Sequence, residues 1–269
     1  MTQPSALLQR LEAQDLLPTD AVAVLYGGAE ARGWADPVAV GRIRIVTASP
    51  HEGPAGVPEP EPASAAGHRV VIDDREARVS WWTGAQLRSV IGRVSWERLR
   101  GATVAPLLGE AEELVVEDLL TGSAELGGEL LGELRREAER SAFQSFVRTR
   151  SLGDAEGALE DAAGQLRSGD VHSAVLSARK AFGHLVDNML EEQGCYGTYA
   201  PELRARRFVE AAPPRLGFAE YWAVETMRDL DPAHGGAWVE QVLAWCAQEF
   251  AAQPADLVRR AMRGPRRGW

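Results

Sequence analysis

Arg42 and Arg44 stand two positions apart in the alternating run Gly41-Arg42-Ile43-Arg44-Ile45. Side chains two apart in a strand leave the same face, so both guanidinium groups point one way. Each offers a bidentate fork to a phosphate or carboxylate. The same alternation also describes a solvated strand face with no ligand. Upstream, the apolar run Ala21-Val22-Ala23-Val24-Leu25-Tyr26 closes on Gly27-Gly28. A glycine pair lets backbone approach a ligand closely and take positive φ. Free N–H groups at a following helix start would suit an anion, although a plain strand-to-helix turn has the same composition. Farther along, Lys180, His184, Asp187 and Glu191 recur at i, i+4, i+7 and i+11 and share one helix face. Lys180 is the only lysine, and His184 can take up or release a proton near neutral pH. The competing reading is a solvated face of ordinary ion pairs. Lys180 and His184 are therefore the weak catalytic candidates.

Other chemistry finds little support. Asp73, Asp74 and Glu76 cluster where a turn is expected, and turn chemistry explains them better than metal binding. Cys195 and Cys246 form no CxxC pair, which argues against structural zinc. No Walker loop, HExxH, Gly-x-Ser-x-Gly elbow or Rossmann fingerprint is present.

These residues need elements to hold them. Residues 6–17 have a helical apolar period, 21–28 read as a buried strand and 41–48 as a second strand. Residues 51–67 are proline-rich and read as an extended loop. Residues 68–73 and 76–82 look like a hairpin, and Thr83 caps a following helix. Residues 102–108 read as one more strand. Beyond about residue 110 the pattern is helical only. Leu130 to Phe146 keep one long helical spacing, Ala155 to Leu166 another, and Val171 to Met189 a third. Phe218–Trp222 and Trp238–Cys246 suggest two more. The expected architecture is α+β: a small mixed-sheet α/β domain over 1–110, then an antiparallel helical bundle over 111–269 with a frayed, basic C-terminal tail.

Composition sets limits. The 269 residues carry a net charge of −10, with 45% hydrophobic and 25% charged side chains, which is ordinary for a globular chain. The acidic balance removes the bulk attraction nucleic-acid binding needs. No apolar run reaches the ~18–20 residues of a membrane span, and residues 1–5 do not look like a signal peptide. A cytoplasmic location is expected. Near-absence of lysine is mostly the codon signature of a GC-rich genome; a bacterial biosynthetic setting is expected alongside, but composition does not establish it.

The segment Leu25-Tyr26-Gly27-Gly28-Ala29-Glu30-Ala31-Arg32-Gly33-Trp34-Ala35-Asp36-Pro37 resembles the signature of the polymerase-β-type nucleotidyltransferases. The residues Trp81-Trp82-Thr83-Gly84-Ala85-Gln86-Leu87 are similar to that family's passage from strand to helix after its third carboxylate. The helical half looks like the partner domain of small-molecule nucleotidyltransferases, including aminoglycoside-modifying ones. The resemblance implies a nucleotidyltransferase-like fold and a cleft that takes a nucleotide, whose phosphate Lys180 would meet. It also implies two divalent metals on an Asp-x-Asp pair and a third carboxylate. This chain departs from that pattern. The Asp-x-Asp positions read Arg42 and Arg44, or Val40 and Arg42 on a shorter alignment, and the third position falls at Arg78 or Ser80. Exchanging two carboxylates for two guanidinium groups moves the local formal charge from about −2 to about +2, which repels a cation and attracts an anion.

The expected ligand-binding residues are Gly27, Gly28, Arg32, Arg42 and Arg44, with no metal ligand. No cofactor is expected, a nucleotide being the one candidate, and the expected partner is an anionic small molecule. Three readings stay open. One is a nucleotidyltransferase-fold protein with a degenerate metal site, repurposed to bind, or act without metal on, an anionic small molecule in a biosynthetic pathway. Another is an active small-molecule nucleotidyltransferase. The third is a non-catalytic interaction or antitoxin-like module.

Overall fold

The structure is a computed structural model that describes residues 5–34, 41–50, 68–72, 74–101, 107–197 and 199–261. It is α+β, with one mixed five-stranded sheet and a helical C-terminal region. The chain folds into two compact units. One holds residues 1–100 and 107–143, the other 101–106 and 144–269.

In the first unit, helix α1 (Ala6–Ala13) begins where the Ser5 hydroxyl accepts from the Leu8 N–H. Strands β1 (Ala21–Gly27), β2 (Gly41–Thr47), β3 (His68–Ile72), β4 (Arg75–Thr83) and β5 (Ser123–Leu126) lie in the order β3-β4-β2-β1-β5. β1 runs antiparallel to β2 and β5, and β2 runs parallel to β4. β3 and β4 form the expected hairpin, and Asp74 at its turn takes a φ of 61°.

One sheet face is apolar. Val24, Ile43, Ile45, Ala77 and Val79 pack there with Leu8, Leu11 and Leu16. The two neighbouring tryptophans separate as alternation requires. Trp81 joins this apolar cluster and donates to the Leu16 carbonyl, while Trp82 is buried and donates to the Ser80 hydroxyl.

The other face carries helix α4 (Glu110–Thr121), whose Asp118 reaches β2. Before it come α2 (Gly84–Arg93), opened by a Thr83–Gln86 capping box, and α3 (Trp96–Gly101). Helix α5 (Gly128–Arg140) follows β5. The sequence pattern places the start of the helical domain at 111. Packing instead groups α4, β5 and α5 with the sheet, because α4 and α5 lie against β1.

Two expected elements differ in the structure and a third is not tested by it. The strand expected over 102–108 falls mostly outside the described residues, and the fifth strand is β5. The single helix expected across Leu130–Phe146 is broken at Ser141, which is extended (φ −71°, ψ 177°). Its hydroxyl donates to the Ala138 carbonyl and accepts from the Phe143 N–H, so one side chain ends α5 and starts α6 (Phe143–Ser168). Helix α6 also absorbs the 155–166 stretch, expected as a helix of its own. Of the basic tail, Arg259 and Arg260 stand in the last described helix, Ala255–Ala261, and the residues from 262 on lie outside the described residues.

The second unit contains most of α6, then α7 (Val171–Glu192), α8 (Arg204–Ala211), α9 (Phe218–Glu225), α10 (Gly235–Ala251) and α11 (Ala255–Ala261). Asp170 caps α7 through the Ser173 N–H. Phe182 of α7 packs against Trp245 and Tyr221, and Phe208 stacks on Tyr221 at 4.5 Å. No described helix is long and apolar enough to cross a membrane.

Candidate functional site

The site grows out of strand register. Gly27 of β1 lies directly opposite Arg42 of β2, and Leu25 opposite Arg44. On the other side of β2, Arg42 pairs with Arg78 and Arg44 with Ser80. Laterally paired residues point to one face. Gly27, Arg42, Arg44, Arg78 and Ser80 therefore form one patch, beneath α4.

Sequence reasoning missed what covers the patch. Asp118 is wholly buried and points down onto it. The Arg42 Nε lies 3.0 Å from each of its carboxylate oxygens, and the Arg42 Nη2 lies 2.6 Å from Oδ1. The Arg44 Nε donates to Oδ2 at 2.9 Å, and the Arg44 Nη1 donates to the Ser80 hydroxyl at 3.0 Å. Arg44 is 2% exposed, Arg42 is 23% exposed and Arg78 is exposed. Neither expected orientation of the arginine pair, open cleft or solvent, describes it: one carboxylate holds both. Burial works against both guanidinium charges and Asp118 supports them. For Arg42 the balance raises the pKa, and for Arg44 it lowers it.

The glycine turn has a related role. Gly27 does not take a positive φ, but a Cβ there would overlap the Asp118 carboxylate. Gly28 takes a φ of 90°, as a tight turn requires. A single 3₁₀ turn, Glu30–Arg32, comes next and is closed by Gly33 at φ 71°. The helix start expected at this point is this single 3₁₀ turn, in which Arg32 and Trp34 donate to the Ala29 carbonyl and Gly33 to the Glu30 carbonyl. Arg32 lies over the Trp34 ring, 4.8 Å from its centroid. Glu30 forms an ion pair with Arg75.

Two more carboxylates of α4, Glu113 and Glu117, are buried. Burial and Glu113 push the Glu117 carboxyl up to about 7, against the pull of Arg42 and Arg32. The folded chain thus holds this proton more tightly than the unfolded chain does. The group's stability contribution is complete below its ordinary value of 4.5 and fades as pH rises through about 7. Glu117→Gln is expected to match the wild type near pH 4.5 and to exceed it by about 3 kcal/mol at pH 8. Urea unfolding across this range measures the difference, and a pH-independent gap would contradict the assignment.

The fold resemblance implies divalent metals, and the residues at the corresponding positions do not fit them. Guanidinium groups have no lone pair to give a cation. Both oxygens of the nearest carboxylate, Asp118, are taken by arginines. Among the described residues, no group of three or more His, Cys, Asp or Glu side chains could hold a metal ion.

Lys180 and His184 belong to the second unit. Lys180 is exposed, but the rest of its helix face is not solvated: Asp187 and Glu191 are fully buried. Asp187 accepts from Arg204 at 3.0 and 2.9 Å and from Arg207 at 2.6 Å. Burial pushes the Asp187 carboxyl up, the two arginines outweigh it, and the net shift is downward. Ser151 donates to Glu191 at 3.0 Å. Both ring nitrogens of His184 are buried without a hydrogen-bond partner among the described residues. Burial lowers the His184 pKa against the opposing pull of Asp187 and Asp154, favouring the neutral ring. In helix α8, which supplies Arg204 and Arg207, the apolar spacing Ala205, Phe208, Val209 would turn the arginines outward, whereas the structure buries Arg204 and Arg207 and exposes Val209. Its arginines are legible in the sequence only as charge.

No family model matches the chain, and a search of curated proteins finds no match either. Among solved structures, the chain is similar to a nucleotidyltransferase-like protein from Exiguobacterium sibiricum. Their TM-score is 0.50 and their identity 10%, over 97% of this chain and 78% of that one. At that identity the likeness concerns the fold, which is nucleotidyltransferase-like.

Proposed function

We propose that this chain is a nucleotidyltransferase-fold protein with a degenerate metal site, which has lost metal-dependent nucleotidyl transfer and binds an anionic small molecule without metal. The observation that carries the reading is the Arg42–Asp118–Arg44 ion pair in register with Gly27, Arg78 and Ser80. Positions suited to two cation-binding carboxylates hold guanidinium groups instead. The patch carries Arg32, Arg42, Arg44 and Arg78 against Glu113, Glu117 and Asp118, and Glu117 is half-protonated near pH 7. The surplus is positive. Arg42 and Arg78 are the members that solvent reaches, so an incoming oxyanion meets them first. In this reading Lys180 and His184 take no part in nucleotidyl transfer.

Calorimetry with pyrophosphate in the presence of EDTA tests the proposal. Binding that survives the chelator and is lost in Arg42→Ala/Arg78→Ala is the expected result. A second reading, a non-catalytic interaction module, is favoured by how completely Asp118 engages Arg42 and Arg44. It predicts no heat with pyrophosphate, with or without metal, and that result would replace the first reading.

A further inference from the structure

We infer that Asp118 is an internal anion that fills an oxyanion cradle made by Gly27, Arg42 and Arg44, and that a ligand's carboxylate or phosphate group binds this cradle only in its place. The inference rests on the reading above in taking the ligand to be anionic, and it deepens that reading by naming the group the ligand must present and what it must displace.

Three observations converge. First, the contacts are those a bound oxyanion makes. Two guanidinium groups bracket one carboxylate, Arg42 reaching both oxygens and Arg44 reaching Oδ2. Second, the missing side chain at Gly27 makes the room, since a Cβ there would run into the carboxylate. A turn that could admit a ligand's oxygens here admits the chain's own. Third, the plug sits on an element brought in closely. Gly122, just after α4, lies so near the backbone that a Cβ would come within 2.6 Å of the Tyr26 and Asp118 carbonyl oxygens. Arg135 of α5 donates to the Leu119 and Gly122 carbonyls at 2.7 and 2.6 Å, holding the end of α4 in place. The cradle is therefore formed and charged, and it is closed by a side chain on a helix.

Taking the carboxylate away should turn an internal contact into a binding site. In Asp118→Ala, the two guanidinium groups lose their counter-ion and leave a void of about formate size. Thermal unfolding at constant ionic strength, with sodium formate or phosphate replacing chloride, reads the result. The expected outcome is a saturable rise in Tm of about 5 °C or more beyond any rise in the wild type, as mass action requires of a ligand that binds only the folded state. The rise should disappear in Arg42→Ala/Asp118→Ala. Should Asp118→Ala not fold, Asp118→Asn keeps the volume and removes the charge, and pyrophosphate should bind it at least about tenfold more tightly than it binds the wild type. Equal anion effects on Asp118→Ala and wild type, or no tightening in Asp118→Asn, overturn the inference. Failure of the wild type to bind pyrophosphate while formate rescues Asp118→Ala would instead sink the functional reading and leave the cradle standing.

Discussion

Asp187→Ala is expected to cost about 3–5 kcal/mol of folding stability, because it strands the buried Arg207 guanidinium and takes from Arg204 its closest partner. Arg204 and Arg207 both end on this carboxylate, and Arg207 and Asp187 are fully buried. Arg204 also reaches Glu225 at 3.3 Å and so keeps a partner. Among the described residues Arg207 does not: its Nε and Nη1 are already buried without hydrogen bonds to them, and Asp187 is its ion-pair partner there. Most of the loss should therefore pass through Arg207. Replacing Arg207 and Asp187 together by leucine should recover most of it, since an apolar pair of similar volume carries no desolvation cost. Chemical denaturation of the single and double variants measures both effects. A loss below about 1 kcal/mol in Asp187→Ala would mean that the network is solvated rather than buried.

Gly27→Ala should be nearly as damaging, for a different reason. The backbone at Gly27 is not left-handed, so alanine is conformationally acceptable there. Only the overlap of its methyl group with the Asp118 carboxylate decides the cost. Either the methyl or the ion pair must give way, and the expected loss is about 3 kcal/mol, the sum of overpacking and a damaged buried pair. This predicts strong coupling. In an Asp118→Ala background the same glycine substitution should cost less than about 1 kcal/mol. Additive losses in the double-mutant cycle would show that Gly27 and Asp118 do not compete for the same space.

Part of this architecture is legible in the sequence and part is not. The strand carrying Arg42 and Arg44, the hairpin before Thr83, the capping box and α7 all follow from local periodicity and end signals, which act within a few residues. The arginine pair can be assigned to one strand face for the same reason. Its partner cannot, because Asp118 lies 74 residues from Arg44 and nothing local ties them. Glu113, Glu117 and Asp118 read as the ordinary acidic side of a helix, and only tertiary packing turns that side inward. The same holds for Asp187 and Glu191. Their spacing puts them on one face, but the arginines that meet Asp187 come from α8, whose apolar spacing, Ala205, Phe208 and Val209, points away from the side that carries Arg204 and Arg207. The break at Ser141 is hidden because the leucine spacing of α5 runs on in phase into Phe143 and Phe146.

The most direct test of the central claim is an ATP titration by calorimetry with and without Mg²⁺. The account predicts that Mg²⁺ leaves the ATP affinity unchanged to within about twofold, because Arg42 and Arg44 take both oxygens of Asp118 and, among the described residues, no group of three or more His, Cys, Asp or Glu side chains could hold a metal ion. A tightening of about a hundredfold, or roughly 2.7 kcal/mol, would contradict it and return the site to metal-dependent nucleotidyl transfer.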